Sequence, residues 1–335
     1  MSNLSVTLRD VYAARARISG IAVRTPFFDS AELTNRTGSA IYLKLENVQR
    51  TGAFKIRGAA NRLRNLSSAE RNRGVVTVSS GNHGRAVAYV AQELGIRAVV
   101  CVSMGVPPNK VDAIQKLGAE VVRHGKSYDE AEDFATKLQL RHGLTMIPPF
   151  DDPHVIAGQG TIALELLEEH PELDTVIVPL SGGGLLSGVA LTMKSADPSI
   201  RTIGVSMARA PVMYHSLRAG HPIEMEEEST LADALMGGIG LENKYTFDLI
   251  RQYVDDTLLV SEDDIANAMV FALEHHHVVV EGGGAVALAA VLCGKVKGLG
   301  KHVAVIVSGG NVEIPVLVDI VQRHLGSGPG CSDNC

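Results

Sequence analysis

In Gly52-Ala53-Phe54-Lys55-Ile56-Arg57-Gly58-Ala59, a lysine follows an aromatic residue and stands two positions before an arginine. A lysine held out of water near another cation has a lowered pKa, and its free amine attacks carbonyl carbon. An ordinary surface lysine is the competing reading, which the flanking glycines and the apolar Phe54 and Ile56 weaken only modestly. Three more loops could hold anions or polar groups. Ser181-Gly182-Gly183-Gly184-Leu185 follows an apolar run and opens a helical one. Free backbone N–H groups and the helix dipole bind phosphate at such a position. Contiguous glycines followed by Gly188 do not make the dinucleotide pattern G-x-G-x-x-G, and a tight structural turn would use the same residues. Ser79-Ser80-Gly81-Asn82-His83-Gly84 offers two hydroxyls, an amide and backbone donors, which suit a small carboxylate or a plain N-cap turn. Ser308-Gly309-Gly310-Asn311 is the last of the set.

Other patterns carry less. Gly125-Lys126-Ser127 looks like the end of a P-loop, but Glu120 stands where the first glycine belongs. His275, His276 and His277 are consecutive and do not converge on one point from a helix, so a structural or solvent-facing cluster is expected. Glu281-Gly282-Gly283-Gly284 has a carboxylate at its mouth, which repels an anion. It reads as a turn that brings Glu281 near a site.

These loops must be positioned by strands and helices. Short β-branched runs at 74–79, 97–103, 119–123, 175–180, 201–206 and 302–308 alternate with helical patterns at 84–94, 107–117, 127–141, 155–170, 185–194 and 314–324. Such alternation predicts an α/β fold with parallel sheets, and fully apolar runs such as Val303-Ala304-Val305-Ile306-Val307 suit strands covered on both faces. All four loops then fall at the C-terminal ends of strands, where ligands gather. Ser67-Ser68-Ala69-Glu70 is a capping box and the acidic run 224–228 a solvated loop. The series breaks near Pro148-Pro149 and again across 209–256, which suggests two lobes.

Composition narrows the class. The 335 residues carry 31 basic and 37 acidic side chains, a balance that argues against nucleic acid. No apolar run reaches about 18 residues, so no membrane span is expected. The start has no basic, apolar leader, and four cysteines are too few for a secreted disulfide framework, so the cytoplasm is expected. Cys331 and Cys335 lie in a polar tail, 326–335, expected to be flexible; a metal or redox pair is the alternative there.

In order and spacing, the motifs resemble the fold-type II pyridoxal-phosphate enzymes, and within them the serine/threonine dehydratase family. Lys44-Leu45-Glu46-Asn47 with the Lys55 segment, Ser79–84, Gly158-Gln159-Gly160-Thr161, 181–185 and 308–311 carry the likeness, which spans about 8–325. It implies a two-lobed fold like that of the tryptophan synthase β chain: a large cofactor-binding domain from 1–72 and 153–325, and a small substrate-side domain from 73–152. It implies pyridoxal 5'-phosphate as cofactor, a small amino acid as substrate and a homodimer. Lys55 would hold the cofactor covalently and then act as base at Cα. Phe54 would pack on the ring, Asn82 would bond its hydroxyl and Ser308 its nitrogen. Gly182, Gly183 and Gly184, with the N–H of Ser181 or Leu185, would bind phosphate. Ser79, Ser80, Gly81 and His83 would hold the substrate carboxylate, with Ser80 also able to deliver a proton on the opposite face. A neutral serine at the ring nitrogen would favour prompt loss of a β-hydroxyl, giving a 2-oxo acid and ammonia.

Departures from the family narrow the reading. Ser206 stands where some members have a metal-binding glutamate, and Val212 where a further acid would fall, so no metal is expected. Ser181 replaces a fourth glycine, Leu231-Ala232-Asp233-Ala234 has alanine where glycine beside the ring is usual, and Glu281-Gly282-Gly283-Gly284-Ala285 replaces E-P-S-G-A. No regulatory domain is expected, nor feedback inhibition by isoleucine. Asp10–Arg17, Gly81–Tyr89, Val178–Gly184 and Gly204–Met207 resemble the hydroxyectoine-utilisation dehydratases. Hydroxyectoine carries its α-nitrogen inside a ring, whereas reaction with the cofactor aldehyde needs a primary amine, so a ring-opened hydroxyectoine derivative is the expected substrate. A catabolic threonine/serine dehydratase is the alternative.

Overall fold

The computed structural model describes residues 6–326; Cys331 and Cys335 lie outside them. Ten strands are present among these residues: β1 (Phe27–Asp29), β2 (Ala40–Leu45), β3 (Val75–Val78), β4 (Ala98–Val102), β5 (Glu120–Arg123), β6 (Thr145–Met146), β7 (Thr175–Pro179), β8 (Arg201–Met207), β9 (Asp256–Val260) and β10 (His302–Val307). They form a six-stranded sheet of order β1-β2-β10-β7-β8-β9 and a four-stranded sheet of order β5-β4-β3-β6. Every pairing is parallel except β1 with β2. The expected α/β fold with parallel sheets flanked by helices is therefore the fold observed.

β10 shows why apolar runs become central strands. Val303, Val305 and Val307 enter one core with the helix Gly282–Leu292, while Ala304 and Ile306 enter another with the helix Gly184–Ala196. Side chains alternate across a strand, so only a strand covered on both faces tolerates five apolar residues in a row. In the four-stranded sheet, Val75, Ala98, Val100 and Val102 face one core, and Val76, Val78, Val99 and Cys101 the other.

The helix Lys55–Arg64 crosses the helix Pro153–Glu169 at two glycines. A Cβ on Gly58 would lie 2.8 Å from Val155 Cγ1, and one on Gly158 would lie 2.6 Å from the Arg57 carbonyl. The motif 158–161 thus serves a close backbone approach that seats the lysine helix.

Two readings of local structure need correction. The triple glycine after Glu281 is no turn; it opens the helix Gly282–Leu292, with Glu281 at the N-cap. That helix is buried all round and so shows no amphipathic period to read. The helix after β3 begins at Asn82, two residues earlier than the pattern suggested. The capping box at Ser67 and Glu70 forms as expected.

Candidate active site

Lys55 is the first residue of its helix. The preceding turn is tied to the loop after β10: Phe54 N donates to Ser308 O at 3.0 Å, Gly310 N donates to Gly52 O at 2.9 Å, and Ala53 pairs with Gly309. The Lys55 amine lies 5.3 Å from the Phe54 ring centre and donates to the Pro149 carbonyl at 2.7 Å. The next residue, Phe150, packs on the glycine loop after β7: a Cβ on Gly182 would meet its ring at 2.3 Å, and one on Gly184 its Cα at 2.9 Å. One dipeptide, Pro149-Phe150, therefore touches the amine on one side and the glycine loop on the other.

Burial lowers the Lys55 pKa to about 8. Of the two causes expected, loss of water acts and the neighbouring cation does not. Arg57 is not the cation that depresses it, because Arg57 is neutralised in a buried network of its own. Its guanidinium forms paired bonds to Glu46 at 2.8 and 2.8 Å and to Glu165 at 2.6 and 2.9 Å. Lys44 completes the set, 2.6 Å from Glu165, with its amine on the Thr25 carbonyl. Two cations and two anions balance, and they anchor the lysine helix from behind. Loss of water around Lys55 is what disfavours its charge.

The glycine loop ends at Gly183, whose φ of +89° is a left-handed conformation suited to glycine, and the helix Gly184–Ala196 starts there without a side-chain cap. The N–H groups of its first turn are thus open to an anion. Leu185 is buried in the core beneath. The Ser181 hydroxyl instead donates to Leu235 O at 2.9 Å and holds the 233–235 turn over the loop. Ser308 is buried, and its hydroxyl reaches only Gly283 O, at a long 3.5 Å, so it has bonding capacity left.

The loop after β3 supplies the third wall. Ser79 Oγ accepts from Gly81 N at 3.3 Å, and the partly exposed Ser80 hydroxyl has no partner among the described residues. His83 is buried, with Nε2 2.9 Å from the Ile147 carbonyl. Burial, reinforced by the Lys55 charge, lowers its pKa to about 3, so the ring is neutral and Nε2 donates. His83 cannot offer a positive charge to a carboxylate, and what it can add is the N–H at the helix start. Asn82 lies between Glu281 and Asn311, bonded to them at 2.6 and 2.7 Å.

The loops after β3, β7 and β10 thus converge with the Lys55 turn, as expected. Pro149, Phe150, Asn311 and Arg85, which donates to Asn311 Oδ1 at 2.9 Å, belong to the same place and were given no role from sequence. Pro148-Pro149 read only as a break, and Asn311 closed a motif without a role. Ser206 is buried against the Met207 sulfur at 3.3 Å, Val212 sits in an apolar core, and no described His, Cys, Asp and Glu residues group as metal ligands.

A desolvated amine on one side of Phe150, a glycine cradle at an uncapped helix start on the other and an aromatic ring beside the amine fit an aromatic aldehyde phosphate. Over residues 18–309 the sequence matches the model of the pyridoxal-phosphate dependent enzymes. The chain belongs to that family. It is 47% identical over 322 residues, 96% of either chain, to a Sinorhizobium fredii protein named as a threonine dehydratase. An L-threonine ammonia-lyase of Thermotoga maritima is 43% identical, across 96% of this chain and 79% of that one. Maize serine racemase superposes with a TM-score of 0.89 at 37% identity, covering 96% of this chain and 99% of the other. The protein is a pyridoxal 5'-phosphate-dependent lyase of the fold-type II architecture. Lys55 would hold the cofactor aldehyde, the 182–185 backbone its phosphate, Phe54 its ring face, Asn82 its hydroxyl and Ser308 its nitrogen. When bound, the cofactor supplies an electron sink for negative charge at the substrate Cα.

Proposed function

We propose that the protein converts L-threonine and L-serine to a 2-oxo acid and ammonia. The carrying observation is the pairing of a desolvated Lys55 amine with the open Ser79–Gly84 loop: Lys55 donates to the Pro149 carbonyl at 2.7 Å and His83 lies 2.9 Å from the Ile147 carbonyl on the same segment. Backbone N–H groups at the start of the helix Asn82–Glu93 and the free Ser80 hydroxyl orient the substrate carboxylate. That places Cα over Lys55, whose neutral amine takes the proton. The β-hydroxyl leaves as water, and water returns when the imine product hydrolyses, so the net products are a 2-oxo acid and ammonia. The 43% identity with an L-threonine ammonia-lyase across nearly the whole chain supports this substrate class. The ring-opened hydroxyectoine derivative expected from short phrases has no comparable support.

The test is ammonia and 2-oxo acid release by the cofactor-loaded enzyme from threonine, serine and ring-opened hydroxyectoine. Turnover of the first two with little from the third supports the proposal; the reverse order restores the hydroxyectoine reading, and inversion of serine without ammonia release points to racemisation. We propose also that 1–72 with 153–325 form the cofactor lobe and 73–152 the substrate lobe. All four strands of the smaller sheet falling within 75–146 support that division.

A further inference from the structure

Glu281 lies at the meeting point of four loops and no role assigned so far uses it. It is buried, and its two oxygens accept different donors: Asn82 Nδ2 at 2.6 Å and the Asn311 backbone N–H at 3.0 Å. Asn311 is itself fixed in orientation. Its Nδ2 donates to the Thr51 carbonyl at 2.8 Å and to Asn82 Oδ1 at 2.7 Å, and its Oδ1 accepts from Arg85 at 2.9 Å. A flip of the Asn311 amide would aim its oxygen at a carbonyl and its NH₂ at a guanidinium. A flip of the Asn82 amide would set oxygen against the Glu281 carboxylate and NH₂ against NH₂. Both flips are forbidden by donor and acceptor count. Asn82 Oδ1 therefore accepts from Asn311, one Nδ2 hydrogen is spent on Glu281, and the other Nδ2 hydrogen remains uncommitted among the described residues.

We propose that Glu281 is a positioning residue that fixes the Asn82 amide so that its uncommitted N–H is offered to the cofactor's ring hydroxyl. A donor at that place favours the ionised ring oxygen over the protonated one. While ionised, the carboxylate does this because it then only accepts, and burial raises its pKa to about 7; an amide in its place always carries donors, so one of its two contacts would face donor to donor. The link also ties the loop after β3, in the four-stranded sheet, to the turn before Lys55 at Thr51 and to the loop after β10. The inference rests on the cofactor and on the Asn82 contact, and is independent of which amino acid is the substrate.

The test uses the cofactor-loaded protein and reads its visible absorption as well as its kinetics. Glu281→Gln is expected to move the long-wavelength band toward shorter wavelength. It should also lower kcat by about tenfold, the scale of one lost hydrogen bond, with KM nearly unchanged. Glu281→Asp, which still only accepts, should keep the band. In an Asn82→Ala background, Glu281→Gln should shift nothing further. An unmoved band in Glu281→Gln, or an equal extra shift without Asn82, overturns the proposal. Should Glu281→Gln fail to fold, Asn311→Ala frees Asn82 Oδ1 and must shift the band in the same direction.

Discussion

At Lys55 the chemistry depends on how much amine is uncharged. With its pKa near 8 about half is neutral at pH 8, on the order of a hundredfold more than for an ordinary lysine. The rate at which apoprotein takes up pyridoxal phosphate, followed by its visible band, should therefore climb with pH and level off above about pH 8. A rise continuing to pH 10 would mean an unperturbed amine. His83 makes an opposite kind of statement, about stability. Its proton affinity is lower folded than unfolded, so the unfolded chain binds the extra proton as pH drops from 6.5 toward 3, and stability is lost over that window. His83→Asn, measured by urea midpoints against the parent, should lose stability less steeply between pH 6.5 and 4. Lys55 and the serine and glycine loops were legible in sequence because catalytic residue types sit beside glycine at strand ends. The orientation of His83 was not: its partner is a carbonyl 64 residues away, and no local pattern encodes that.

At the scale of elements, the lysine helix is held by charges as well as by packing. Arg57→Met would leave Glu46, fully buried, facing no guanidinium, a loss of about 3–5 kcal/mol. Thermal melts of the apoprotein should show it as a large drop in midpoint. A drop no larger than that of a surface arginine such as Arg141 would mean the network is dispensable. The phosphate loop tests differently. Gly184→Ala places a methyl against the Phe150 backbone, so titration of apoprotein should show weaker cofactor binding while the fold persists. Strands and amphipathic helices were readable because their periods are local. The helix Gly282–Leu292 was missed because burial on every side erases the period, and the ion network because Glu165 lies 108 residues from Arg57.

For the whole molecule, we propose that the exposed apolar side chains are covered by a second copy. The helix Ile314–Gly326 leaves Ile314, Val316, Val318 and Leu325 open, and Val48 and Val279 are open beside the Asn47–Val279 hydrogen bond. Light scattering should report a homodimer, and Ile314→Asp with Val318→Asp should give monomer; a parent monomeric at micromolar concentration would contradict it. Parallel pairing follows from alternating elements, but the order of strands does not. β10, the last strand among the described residues, inserts between β2 and β7, a placement set by pairing with segments more than a hundred residues earlier.

Everything converges on one amine, and it can be located directly. The cofactor-loaded protein is reduced with borohydride, digested and mapped by mass spectrometry. The account predicts the reduced cofactor on the peptide that contains Lys55, with no label there and no visible band in Lys55→Ala. Label on any other lysine, or a yellow Lys55→Ala protein, would contradict it.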